Sequence, residues 1–173
     1  VCSSDLLVVP AAAGLSWLTV ERNADYVNPV RLWTSAVALA PANWRAHNNL
    51  GIAEEAEGRR ANAIAEYQRA LDLNPRSGPA HYNLGKALHE DGRLDDALAH
   101  YRVVMDAEPA APVATDMGLA LEAQGQMDAA RQHYVRALQL DPAYPDAHLN
   151  LGRTLFAEGR TDEAMSHYRQ ALG

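Results

Sequence analysis

WRAHNNLGIAEEAEGRRANAIAEYQRALDLNPRS, residues 44–77, reads as two amphipathic helices separated by a glycine. The first runs from about Arg45 to Glu57 and stops at Gly58, where a residue able to take positive φ closes a helix and turns the chain. The second runs from about Arg60 to Leu73, with Ala63, Tyr67, Ala70 and Leu71 at spacings of three and four that make one apolar stripe. Pro75 blocks continuation and biases Asn74 away from the helical region. The stretch is therefore a helical hairpin. Gly51 and Ala63 are small where the two helices cross closely, and Tyr67 is expected to fill the gap between neighbouring hairpins. A single hairpin cannot bury that stripe, so hairpins must stack.

The rest of the chain supplies the copies. The Leu-Gly or Met-Gly pair recurs at Leu50-Gly51, Leu84-Gly85, Met117-Gly118 and Leu151-Gly152, spaced by 34, 33 and 34 residues. A second glycine follows seven residues later each time, at Gly58, Gly92, Gly125 and Gly159. Ala63, Ala97, Ala130 and Ala164 precede Tyr67, Tyr101, Tyr134 and Tyr168 by four residues, and Pro41, Pro75, Pro109 and Pro142 punctuate the units. This pattern resembles the tetratricopeptide repeat (TPR) family over residues 42–173, in units 44–77, 78–110, 111–144 and 145–173. The resemblance implies an all-α, right-handed superhelical solenoid of helix-turn-helix hairpins that binds other polypeptides. His47, His81, Ala114 and His148 stand where the family usually has Trp, the second unit is one residue short, and the fourth has no closing proline before Gly173. With no polar capping helix following, the array is expected to present an apolar end able to stack on a second copy.

Ahead of the repeats, residues 29–40 read as a half-unit helix entered through Asn28 and Pro29, with Trp33, Ala36, Val37 and Leu39 as its stripe; residues 21–41 are thus a linker and half-repeat. Leu6 to Val20 is a run without a charge, LLVVPAAAGLSWLTV. It is shorter than the roughly 17 to 25 apolar residues of a spanning helix. Val1–Leu6 matches what a common sequencing adapter encodes, which makes residues 7–20 the expected remainder of a truncated membrane helix; a signal-peptide remnant and a buried helix are the competing readings. An apolar helix running into TVERNADYVNPVRLW and then WRAHNNLG also resembles the junction in transmembrane-and-TPR proteins related to the protein O-mannosyltransferases. That resemblance implies a membrane-attached array outside the cytoplasm, in a bacterial envelope, following a glycosyltransferase-like part, with a cytoplasmic array as the alternative. No catalytic residue can be carried over.

Composition narrows the functional classes. Apolar residues make up 48% of the chain and aromatics only 6%, favouring close-packed helices over sheet. The net charge of −7, with signs interspersed, provides no basic face for phosphates, so nucleic acid is not an expected partner. The only cysteine is Cys2, which excludes a disulfide framework and a thiolate zinc site. No phosphate loop, nucleophile elbow or zinc-protease motif occurs, no cofactor is expected, and the chain reads as a binding module rather than an enzyme.

The residues expected to bind lie on the first helix of each hairpin. Asn49, Asn83, Asp116 and Asn150 precede the Leu-Gly or Met-Gly pairs and form a ladder with one rung per repeat. A carboxamide offers one acceptor and two donors, which suits the backbone of an extended peptide; Asp116 interrupts the series with acceptors only. This resembles the asparagine ladder in the TPR superhelix of O-linked GlcNAc transferase. The alternative is that these amides bond to a neighbouring helix. Asn48, Ile52, Glu55, Tyr82, Lys86, His89, Thr115, Leu119, Glu122, Leu149, Arg153 and Phe156 complete the candidate groove. Ile52 and Asp116 depart from the two-carboxylate clamp of chaperone-binding TPR domains. His47, His81 and His148 occupy one equivalent position, and His100, His133 and His167 another. Members of each set are expected on separate hairpins, about 10 Å apart by helix-packing distance, too far to share a zinc ion. The first set is expected between hairpins and the second on exposed flanks.

Overall fold

The computed structural model describes residues 28–173. Among them the helices are α1 (Pro29–Leu39), α2 (Trp44–Ala56), α3 (Arg60–Leu73), α4 (Gly78–Glu90), α5 (Leu94–Ala107), α6 (Ala111–Ala123), α7 (Met127–Leu140), α8 (Pro145–Ala157) and α9 (Thr161–Ala171), with no strand. The readings of Val1–Leu6 as adapter, of residues 7–20 as a membrane remnant and of residues 21–27 as linker lie outside the described residues. No described helix is long and apolar enough to cross a membrane.

Four hairpins, α2/α3, α4/α5, α6/α7 and α8/α9, repeat one local solution. At the first turn Gly58 takes φ +74°, its N–H donates to the Glu55 carbonyl at 2.9 Å, and the Arg59 N–H donates to the Glu54 carbonyl at 2.9 Å. A left-handed residue satisfies the last carbonyls of a helix only at low cost when it lacks Cβ. Asn43 caps α2 by accepting from the Arg45 N–H at 3.1 Å, and Ser77 caps α4 by accepting from the Ala80 N–H at 3.3 Å.

Within each hairpin the tyrosine ring packs closely against the glycine of the first helix. A Cβ placed on Gly51 would come within 2.5 Å of Tyr67 Cε1, and one on Gly85 within 2.7 Å of Tyr101 Cε1. This corrects the expectation that Tyr67 fills the gap between hairpins: it packs inside its own, and Gly51 is small because an aromatic ring needs the space. Tyr67, Tyr101 and Tyr134 are completely buried, as are Ala63, Ala97, Ala130 and Ala164. They form one continuous core with Leu84, Leu88, Leu98, Leu151 and Leu155.

The hairpins stack into a right-handed superhelical solenoid. First helices α2, α4, α6 and α8 touch in series, whereas second helices α3, α5 and α7 touch only their own partner and the next first helix, and α9 only its partner. The row in mutual contact is the inside of the curve, so α2, α4, α6 and α8 line the inner wall. Helix α1 packs against α2 as the half-unit, and Asn28 Oδ1 accepts from the Arg31 N–H at 3.0 Å. Its stripe is only partly covered: Trp33, Ala36 and Val37 are half-buried, while Leu39 is 88% exposed.

Candidate functional site: the inner wall

The four ladder residues sit on the inner-wall helices, in different states. Asn49 is half-buried and makes no side-chain hydrogen bond among the described residues. Asn83 is half-buried and donates one N–H to Asn48 Oδ1 at 3.1 Å. Asp116 accepts from the Tyr82 hydroxyl at 2.8 Å. Asn150 is buried, and its carbonyl accepts from Arg153 Nη1 at 2.9 Å. Two of these bonds stitch consecutive repeats, Asn48 to Asn83 and Tyr82 to Asp116. Neighbour bonding and free capacity therefore coexist: Asn83 keeps its carbonyl and one N–H, and Asn49 keeps its whole carboxamide. Burial raises the Asp116 carboxyl above the ordinary carboxylate value; the Tyr82 hydroxyl, Lys86 and His89 pull it back, and Asp146 adds to the rise.

Around the ladder, Ile52, Leu149 and Phe156 are 45%, 46% and 59% exposed, and Leu119 is half-buried. The Lys86 ammonium lies 5.9 Å from the Tyr82 ring centroid and makes no ion pair among the described residues. Asn48 and Thr115 belong to the wall rather than to its surface: both are buried, and the Thr115 hydroxyl donates to the Ala111 carbonyl at 2.9 Å.

Glu55 and Glu122 have a role that residue-by-residue reading of the sequence missed. Each lies one turn after the close-packed glycine and accepts the hydroxyl of the tyrosine packed there: Tyr67 to Glu55 at 2.9 Å, Tyr134 to Glu122 at 2.7 Å. Glu122 also accepts from Arg153 Nη2 at 2.8 Å, across to the next repeat. In the α4/α5 hairpin the equivalent residue is His89, and the Tyr101 hydroxyl is buried without a partner. The signal was available in the repeat alignment, where a carboxylate alternates with another residue at one offset.

The histidines are not arranged as expected. His81 Nε2 donates to the Pro75 carbonyl at 3.0 Å, so its Nδ1 is bare and accepts from His100 Nδ1 at 2.8 Å. His148 repeats this with the Pro142 carbonyl at 2.9 Å and His167 at 2.9 Å. His47 reaches the Pro41 carbonyl at 3.0 Å and Glu66 at 2.7 Å. At the same offset from His133 the sequence has Ala114, which offers no ring nitrogen, and His133 Nδ1 is buried without a partner. The second set therefore lies half-buried against the first, not on exposed flanks, because the hairpin folds residues nineteen apart onto each other. Burial, with His81, Arg102 and His148 adding to it, lowers the pKa of His100, His133 and His167 respectively. Among the described residues no three or more His, Cys, Asp or Glu side chains gather into a metal-binding group.

Residues 80–112 and 121–173 match family profiles described as tetratricopeptide repeat, and residues 53–92 match one described as TPR repeat. The chain belongs to the tetratricopeptide repeat family. Solved TPR structures share its fold. A crystal structure of MamA superposes with a TM-score of 0.77 at 22% identity, over 88% of this chain and 90% of that one. PilF of Pseudomonas aeruginosa gives 0.76 at 22% identity, over 93% and 72%. YrrB, described as a TPR protein with an unusual peptide-binding site, gives 0.67 at 21% identity, over 80% and 72%. A search of curated protein sequences finds no match. As a TPR array the chain is a protein-interaction scaffold.

Proposed function

We propose that the chain holds an extended polypeptide along the inner wall of α2, α4, α6 and α8. The observation that carries this reading is the unspent hydrogen-bonding capacity of Asn49 and Asn83, beside the exposed apolar anchor Ile52. Neither amide is among the buried groups left without a partner, so water bonds their free donors and acceptors and a ligand need only replace that water. A peptide backbone supplies both a donor and an acceptor at each residue, and apolar anchors between the rungs add affinity without requiring one sequence. That YrrB is described as having a peptide-binding site makes a peptide ligand a natural one for this fold.

The test uses dodecapeptides selected from a random display library on the immobilised protein. Asn49→Ala with Asn83→Ala should weaken the selected peptides about tenfold, two net hydrogen bonds of about 0.5–1.5 kcal/mol each, while circular dichroism stays unchanged. Unaltered affinity would reject the ladder as the site.

The setting is a separate proposal. The apolar run Leu6–Val20 supports a membrane-attached parent with the array outside the cytoplasm, and the resemblance over residues 7–51 supports a glycosyltransferase-like part whose acceptors this array recruits. Residues 7–27 lie outside the described residues, and the comparisons do not bear on that junction. A topology reporter fused after Gly173 in the native gene, active only in the cytoplasm, would reject an envelope location.

A further inference from the structure

A cavity of about 490 Å³ opens beside the ladder, lined by Pro79, Tyr82 and Asn83 of α4, Val104 and Ala107 of α5, and Val113 of α6. Two local differences from the other repeats lie at this corner. The last residue of α3 is Leu73 and the last of α7 is Leu140, whereas the last of α5 is Ala107. The connection that follows is also one residue shorter, 108–110 against 74–77 and 141–144. The second repeat thus ends α5 on a smaller side chain than its neighbours, of which Leu73 is itself 39% exposed, and the volume leaves room for a side chain together with the backbone that carries it.

We infer that this cavity receives an aliphatic side chain of the bound polypeptide, of the size of leucine, isoleucine or methionine, while Asn83 bonds the backbone of the same residue. The inference rests on the inner-wall reading and deepens it. Three observations specify the occupant. Pro79, Val104, Ala107, Ala110 and Val113 make most of the lining apolar, which suits an aliphatic chain. Arg76 and Glu108 also line the cavity, one cation and one carboxylate, so the lining has no net charge to favour one sign of side chain. Asn83 lines the same cavity and keeps a carbonyl and one N–H after bonding Asn48, which are the acceptor and donor that a peptide unit requires.

The test compares the native chain with Ala107→Leu, which supplies the side chain from within and places in α5 the residue that α3 and α7 already carry. The probes are N-acetyl-leucine methylamide, N-acetyl-glycine methylamide and N-acetyl-glutamate methylamide, titrated by ¹H–¹⁵N NMR. The leucine probe should give saturable shifts at Asn83, Val104 and Val113, at least tenfold tighter than the other two, and these shifts should disappear in Ala107→Leu. Absence of saturable shifts, equal affinity for the three probes, or shifts that persist in Ala107→Leu would each overturn the assignment. The selected dodecapeptides separate this inference from the reading beneath it. Loss of an aliphatic preference at one peptide position in Ala107→Leu, with binding retained, supports both. Binding with the same preference in both proteins overturns the cavity alone. If no peptide is enriched, the inner-wall reading fails, and this inference fails with it.

Discussion

Replacing His89 with Gln should stabilise the protein, because it supplies an acceptor that the second hairpin lacks. Three hairpins bury the same tyrosine completely; Tyr67 and Tyr134 each donate to a carboxylate at 2.9 and 2.7 Å, and Tyr101 donates to nothing. A buried donor without a partner costs about 1–3 kcal/mol. Glutamine has the reach of Glu55 and Glu122 and adds no charge beside Asp116 and Glu90, which already raise the Tyr101 pKa along with burial. Recovering the bond should gain about 1 kcal/mol, or about 2–4 °C in Tm for a chain of this length. Gln is also a better helix former than His by a few tenths of a kcal/mol, so the measurement is a double-mutant cycle with Tyr101→Phe, read by urea unfolding. In the Phe background only the propensity gain should remain. Tyr101→Phe alone should be neutral or stabilising, since it removes the unpaired hydroxyl, whereas Tyr67→Phe should cost about 1–3 kcal/mol by stranding the Glu55 carboxylate. An equal gain from His89→Gln in both backgrounds, or an equal cost for the two Phe substitutions, would refute the unpaired hydroxyl.

Three further outcomes are expected. Gly85→Ala should destabilise by about 1–3 kcal/mol despite its better helix propensity, because its Cβ would come within 2.7 Å of Tyr101 Cε1; a calorimetric Tm at or above that of the native protein would contradict the packing. Gly58→Ala should cost about 1 kcal/mol for a different reason, since φ +74° is unfavourable for any residue with a Cβ, and here the surrounding space is open. Stability should fall with pH below the ordinary histidine value of 6.5: His100, His133 and His167 have lowered folded values, so the unfolded chain takes up protons first and gains free energy from them. The urea midpoint should therefore be lower at pH 5.5 than at pH 7.5, and the drop should shrink in His133→Gln; a flat profile would reject the buried, neutral histidines.

The hairpin and its period were legible because they depend on chain-local chemistry: a glycine that turns, a proline that stops, and an apolar stripe at helical spacing. The inner-wall positions followed from the same register. What was not legible depended on pairs. His81 and His100 were assigned to different sets because each recurs with its own period, yet the hairpin turn brings them within 2.8 Å. Tyr67 was placed between hairpins because its size suggested a gap, and only the crossing of α2 and α3 shows that the ring needs Gly51. Ala107 is an unremarked alanine in the sequence, and only the fold shows it lining one cavity with Asn83 and Val113. Leu39 fitted a stripe by spacing but lies past the last turn that α2 covers.

The mutual contact of the first helices, set against the separation of the second ones, gives the array the mechanics of a coil whose stiffness is on the inside. Straightening the superhelix stretches the Asn48 to Asn83 and Tyr82 to Asp116 bonds, while the outer helices have no bonds with one another to lose. Because each repeat meets only its neighbours, small changes of pitch add along the array instead of being resisted globally. A strand lying on the inner wall therefore meets a ruler that can lengthen or shorten by summed increments, and these two stitches, with the Arg153 to Glu122 bond further along, contribute to the restoring force.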